Sequence, residues 1–305
     1  MGTIGVLMSI AEKDPHMQTR KDSLLQGLSK NGVDPAKQNI IYAYAFSDLN
    51  TLPQYPEQAQ DLIKQVLKSA APGLKILFAS CYPTLRELIN NRPPPKGNPT
   101  PTDPIPIVFG GLFHDVESVM NPNQNFGSNI SGVYSHTLKN LCDKWVSLLQ
   151  AAVSNPLKAI AVTYDNSHLT SAQNYVDRIY NASGIQPTKI IIDQGVMTQA
   201  DIDDQLAAFL DEAGIDNTNS GLIVPTAALA ANRRQLIIQS ANQRGLKAIY
   251  PHRMYVDCVP AGHQWYGAIL LDQYIEAGSM IGQAIKDDSF TSGIFKTLNT
   301  FETCP

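Results

Sequence analysis

The chain has 305 residues, of which 43% are hydrophobic and 16% charged, and its formal net charge is −4. At roughly 100–200 residues per domain this length predicts two domains, each large enough to bury a core of its own. The mild acidity excludes the basic footprint of nucleic-acid or anionic-membrane binding, and no apolar run approaches the ~20 residues of a membrane span.

The chain opens on MGTIGVLMS, which reads as a strand over Ile4–Met8. It carries no basic n-region, apolar h-region and cleavage site. Either the protein is cytosolic or a leader has been removed, and composition does not choose between these. A helix follows over Met17–Lys30, then a strand over Ile40–Ala45. The next helix, Gln58–Ala70, carries Leu62, Ile63, Val66 and Leu67 on one stripe. Strand Ile76–Ala79 stops at Ser80-Cys81, and Tyr82-Pro83-Thr84 opens a helix over Thr84–Asn90. Residues 92–106 then hold seven prolines, which forbid a helix or a central strand. We expect 92–104 to be an exposed excursion leading into strand Ile107–Phe109.

A second interruption, NPNQNFGSNISG at 121–132, ends this first series. The second series alternates again. It runs helix Thr137–Val153, strand Ala159–Tyr164, helix Ser171–Tyr180, strand Lys189–Ile192, helix Gln199–Ala213 and strand Leu222–Val224. Pro225-Thr226 leads into helix Leu229–Arg244, followed by strand Ala248–Tyr250 and helix Leu271–Lys286. Alternation of this kind predicts an α/β fold of two doubly wound parallel-sheet lobes with crossover helices.

In open α/β sheets ligands bind beyond the carboxyl ends of the strands. A strand ends there and a helix begins, with unpaired N–H groups facing outward. Small residues let a ligand approach the backbone, and Ser or Thr caps the helix while offering a hydroxyl. The two Pro-Thr turns, near 82–84 and 225–226, are therefore expected to be one ligand-facing edge in each lobe. The competing reading is that Pro-Thr simply starts a helix well.

The ordered set GVLMSIAEKDPHMQTRKDSLLQGL (5–28), IPIVFGG (105–111), SNISGVY (128–134), KAIAVTYDNS (158–167), LIVPTAALAANRRQLIIQSANQRGLKAIYPHR (222–253) and WYGAILLDQYIEAG (265–278) resembles the substrate-binding proteins of ABC transporters. More narrowly it is similar to the subgroup that includes tryptophan-binding proteins. The resemblance implies the type I periplasmic-binding fold, with two lobes joined by a hinge and a ligand captured between them. It implies an N-terminal lobe of 3–115 plus about 262–286, a C-terminal lobe of about 120–255, and a tail, 287–305, of unknown placement.

By position, the resemblance implies ligand contacts from Ser9, Glu12, Ser80, Cys81, Tyr82, Thr84, Phe113 and His114 in the first lobe. Tyr164, Asp165 and Thr226 would add to them from the second, and Tyr266 would lie near a crossing between the lobes. It further implies a monomer outside the cytoplasm, a small-molecule ligand, and a membrane permease as partner. The chain departs from the family at Phe113-His114-Asp115, and at Ala268-Ile269-Leu270, where a carboxylate for a ligand ammonium is common. The four aromatic residues of the set favour an aromatic amino acid or aromatic carboxylate.

Some of these residues also suit other chemistry. Cys81 at a strand-to-helix turn could serve as a nucleophile in a racemase or hydrolase, with Cys258 as second thiol. The alternative is a small residue lining the cleft. The cysteines at 81, 142, 258 and 304 match no zinc pattern, and most are expected to be free thiols. His114, His252 and His263 lie in separate loops without metal-ligand spacing. Gly110-Gly111 belongs to no phosphate-binding motif, so neither cofactor nor metal is expected. A cytosolic sensor of the same fold is the remaining rival, although no helix-turn-helix precedes residue 3.

Overall fold

The computed structural model describes all residues except 49–50, 52, 93–104, 113–128, 136–137, 167–168, 194, 196, 259–263, 299 and 304–305, and omits the side chains of 170 and 256–258. The proline-rich excursion and Phe113-His114 therefore lie outside the described residues.

The chain divides into two compact units, called lobes here. The first holds 1–49, 53–136 and 269–299, and the second holds 50–52, 137–268 and 300–305.

In the first lobe the strands are β1 (Thr3–Met8), β2 (Asn39–Tyr44), β3 (Lys75–Ala79), β4 (Ile107–Leu112), β5 (Ile130–Tyr134) and β11 (Phe295–Thr297), in the order β11-β5-β4-β3-β1-β2. All neighbouring pairs are parallel. Helices α1 (Met17–Lys30), α2 (Tyr55–Lys68), α3 (Tyr82–Asn91) and α9 (Leu270–Lys286) cover the two faces. One core cluster joins Ile4, Val6, Phe78 and Val108 to Leu24 of α1 and Tyr274 of α9. The other joins Leu7, Leu77 and Ile107 to Leu62 and Val66 of α2. Strand side chains alternate between faces, so neighbouring residues of β1 serve opposite clusters.

Helices α1 and α9 approach until their glycines touch backbone. A Cβ on Gly27 would meet Ile275 O at 2.0 Å, and one on Gly278 would meet Leu24 O at 2.1 Å. Only glycine at both positions allows that separation.

In the second lobe the strands are β6 (Ala159–Asp165), β7 (Thr188–Ile192), β8 (Ser220–Ile223), β9 (Lys247–Tyr250), β10 (Gln264–Ala268) and β12 (Phe301–Thr303), in the order β12-β10-β9-β8-β6-β7. Here β12 alone is antiparallel to its neighbour. Helices α4 (Leu138–Ala152), α5 (Leu169–Ser183), α6 (Gln199–Leu210), α7 (Ala228–Asn232) and α8 (Arg234–Gln243) supply the layers. Trp145 of α4 is fully buried, packs against Tyr175 of α5 at 5.9 Å between ring centroids, and donates its indole N–H to Tyr266 O at 2.7 Å. The Thr198 side chain caps α6 by accepting from Asp201 N, while Asp201 accepts from Thr198 N at 2.6 Å. These hydrogen bonds hold the Asp201 carboxyl below its ordinary range.

Three expectations need correction. The first lobe does not end near 115, because β5 pairs with β4 and carries that lobe on to residue 136. The segment at 262–268 does not return to the first lobe, because β10 pairs with β9 in the second sheet. Helix Leu229–Arg244 is not continuous, because the chain turns at Arg233 between α7 and α8. The tail, unplaced by sequence, supplies an edge strand to each sheet: β11 beside β5 and β12 beside β10.

Candidate functional site

Each sheet has one place where its strand order reverses direction. In the first it falls between β1 and β3, and in the second between β6 and β8. The helices that follow such strands leave to opposite faces, which opens a crevice at the carboxyl ends.

In the first lobe that point is bounded by Ser9 after β1 and Ser80 after β3. Both are buried, and the Ser80 hydroxyl accepts from Ser9 N at 2.7 Å. Next comes Cys81, the N-cap of α3. Its backbone N–H donates to Thr84 Oγ1 at 3.0 Å, and the Thr84 hydroxyl donates to Cys81 O at 2.8 Å. Thr84 is fully buried, so this hydroxyl is engaged within the helix start. Burial pushes the Cys81 thiol up, outweighing hydrogen bonds with Thr84 and Ser9 and the charge of Arg20. A thiol held protonated is a poor nucleophile.

Behind these residues Arg20 of α1 is buried, and its guanidinium lies 6.0 Å from the Tyr274 ring. Burial also pushes the Tyr274 phenol up, with Arg20 pulling it back. Gly111 of β4 stands beside Ser80 with φ +72°, and a Cβ there would meet Ser80 O at 2.5 Å. Its N–H donates to Gln273 Oε1 at 2.9 Å. Glu12 is exposed and acts on the Tyr44 hydroxyl at the end of β2. Tyr82 is half-buried against the α2–α3 core cluster.

In the second lobe the point is bounded by Asp165, the last residue of β6, and Thr226, three residues beyond β8. The registers Val162↔Ile223 and Asp165↔Ile192 place these two residues, and the end of β7, at one edge. Asp165 is buried. Thr226 Oγ1 is buried with no hydrogen-bond partner among the described residues, and burial pushes the phenol of buried Tyr175 up. Tyr164 is buried in the lobe core, with Lys189 Nζ 4.2 Å from its ring centre. Tyr266 stacks on Phe301 of β12 at 5.5 Å, with Lys144 Nζ at 6.0 Å from its ring. The rings of Tyr164 and Tyr266 are thus engaged inside their own lobe.

No protein-family description matches the sequence, and no curated protein matches it. Solved structures do. A conserved domain protein from Vibrio cholerae matches with a TM-score of 0.73 at 17% identity, over 99% of this chain and 90% of that one. An ABC domain in complex with L-Trp from Streptococcus pneumonia matches with a TM-score of 0.70 at 16% identity, over 98% and 90%. A periplasmic binding protein/LacI transcriptional regulator from Alkaliphilus metalliredigens, complexed with D-xylulofuranose, matches with a TM-score of 0.60 at 11% identity, over 100% and 98%. The chain has the type I periplasmic-binding fold. At these identities the likeness is one of fold.

Among the described residues, no group of three or more His, Cys, Asp or Glu side chains could hold a metal ion, and no helix is long and apolar enough to cross a membrane. His252 is buried within the second lobe, while His114 and His263 fall outside the described residues. Cys142 is buried in the α4 packing, with its thiol pushed up to about 12 by burial and Asp143 against the pull of Arg178.

Sequence reasoning missed two residues of this periplasmic-binding fold. One is Arg20, placed on α1 as an ordinary helix position. The other is Arg233, placed inside a continuous helix. Its signal was the pair Arg233-Arg234 inside LAANRRQLII, where consecutive cations interrupt an otherwise apolar run.

Proposed function

We propose that this chain is the solute-binding component of an ABC importer, capturing a small carboxylate-bearing ligand such as an aromatic amino acid or aromatic acid. The observation that carries this reading is the pair of switch-point edges. The first lobe gathers Ser9, Ser80 and Thr84, and the second Asp165 and Thr226, at the carboxyl ends of the strands, where α/β sheets take ligands. Solved structures with this fold hold L-Trp in one case and D-xylulofuranose in another. The protonated Cys81 thiol favours binding without covalent chemistry.

In this role the ligand stabilises one conformation of the chain over another, and a membrane permease reads the result. The protein acts as a monomer outside the cytoplasm, without cofactor. Mass spectrometry of small molecules released from the purified protein tests the reading. Thermal shift against amino acids, aromatic acids and sugars accompanies it. A ligand at a hundredfold excess over Kd adds about 2.7 kcal/mol of stability. Release of no small molecule, with no stabilisation by any compound, removes the proposal. Stabilisation by a sugar alone removes the carboxylate and leaves the binding role.

A further inference from the structure

The turn that divides α7 from α8 places an arginine where folding alone gives no reason for one. Arg233 has φ −100° and ψ 13°, ending α7 and starting α8. Arg233 and Arg234 are each only 1% exposed. In a continuous helix consecutive side chains point about 100° apart. Breaking the helix lets both turn inward, away from water, which is costly for a guanidinium that lacks partners.

The guanidinium of Arg233 lies over the carboxyl ends of the second sheet. Nη2 donates to Gly195 O, in the loop after β7. Asp165, at the end of β6, and Asp193, just past β7, act on it electrostatically. Yet Nε and Nη1 are buried and have no hydrogen-bond partner among the described residues. Neither aspartate therefore satisfies them. The amide oxygen of Asn166, the residue after β6, is likewise buried and unpartnered. Burial lowers the Arg233 pKa from a high ordinary value and the two aspartates raise it, so the group stays a cation at neutral pH.

We infer that Arg233 is the residue of the second lobe that binds the ligand's carboxylate, through the N–H donors on Nε and Nη1. This deepens the binding-protein reading and rests on it. A guanidinium suits a planar oxyanion, and the hydrogen bonds are strengthened by charge on both sides. A monoanionic carboxylate is favoured over a phosphate, because Asp165 and Asp193 repel a dianion about twice as strongly as a monoanion. The short α7, five residues long, supplies no helix-end site after Thr226. The anion-binding role expected of that Pro-Thr turn thus passes to the arginine that follows it.

Calorimetry with matched compounds tests this without any variant. The pairs are L-tryptophan with L-tryptophan amide, benzoate with benzamide, and D-galacturonate with D-galactose, with inorganic phosphate added alone. At least one acid is expected to bind about 10- to 100-fold more tightly than its neutral partner. Arg233→Lys should lose roughly tenfold of that affinity and Arg233→Met most of it. Neutral partners should change little, and the melting temperature of the Lys variant should stay near that of the parent. Equal binding of acid and neutral partner, binding of phosphate alone, binding of no acid, or unchanged acid affinity in the Lys and Met variants would each overturn the inference. Binding of galactose or of an amide in those cases leaves the binding-protein reading intact. Failure of every compound, together with no released small molecule, removes both.

Discussion

The two strand-end edges are built from similar elements to different ends. In the first lobe most of the turn's polar groups satisfy one another, Ser9 N with Ser80 Oγ and Cys81 N with Thr84 Oγ1, and only Nε2 of the supporting Gln273 is buried without a described partner. In the second lobe buried Nε and Nη1 of Arg233 and Oδ1 of Asn166 have no described partner. A satisfied network contributes to stability whether or not a ligand arrives. An unsatisfied one costs stability until something completes it. The contrast teaches that polar residues at one kind of fold position can complete the scaffold in one lobe and be left incomplete in the other.

The comparison can be broken most forcefully at Gly111. Its φ of +72° and its approach to Ser80 O leave no room for a methyl group. Gly111→Ala should cost about 2–3 kcal/mol in urea unfolding, from left-handed strain plus the clash. A loss below about 0.5 kcal/mol would mean that the first edge is not held tight. Next in size is Thr84→Val, which removes both hydroxyl bonds at the start of α3. It should lose about 1–2 kcal/mol while ligand affinity moves less than about threefold. A large affinity change with little loss of stability would return Thr84 to the ligand.

The second edge should respond in the opposite sense. Asn166→Ala deletes an unpartnered acceptor, so ligand-free stability should change by less than about 0.5 kcal/mol or rise. A loss above about 1 kcal/mol would show that the amide already serves the scaffold.

The smallest expected effect sharpens the chemistry of Cys81. Burial raises its pKa in the folded chain, so deprotonation favours the unfolded state. The contribution is nil well below the ordinary thiol value, and stability falls as pH rises past about 9. Iodoacetamide labelling followed peptide by peptide should accelerate at Cys81 up to at least that pH. A plateau near neutrality would reveal an activated thiolate.

Much of this arrangement was legible in the sequence because apolar runs and helical periods are local signals. The strand over residues 4–8 and the helices from Met17 and Gln199 follow directly from them. Strand β5, ISGVY, was hidden because Ser131 and Gly132 interrupt its apolar residues. Gly132 lies against the Phe109 ring, where a Cβ would meet ring carbon at 2.4 Å. That packing is invisible to a hydrophobicity pattern. The edge strands β11 and β12 were hidden for another reason, since three-residue strands carry no period. At the candidate site, the turn positions at Ser80 and Thr226 could be read from the strand-stop grammar. The burial of Arg20 and Arg233 could not, because composition predicts arginine outside.

Residues 295–303 bear on how both sheets are closed. Strand β11 pairs with β5 from the first lobe, and β12 pairs with β10 from the second. Phe295 stacks on Phe109 and Phe301 on Tyr266, so each strand also seals an aromatic surface. Without residues 295–303 both sheets would have an open flank, on β5 and on β10, and the same few residues close both. Open flanks of this kind invite pairing with other chains. A chain cut just before residue 295 would carry two unsealed edges at once, which ties the integrity of both sheets to one short stretch.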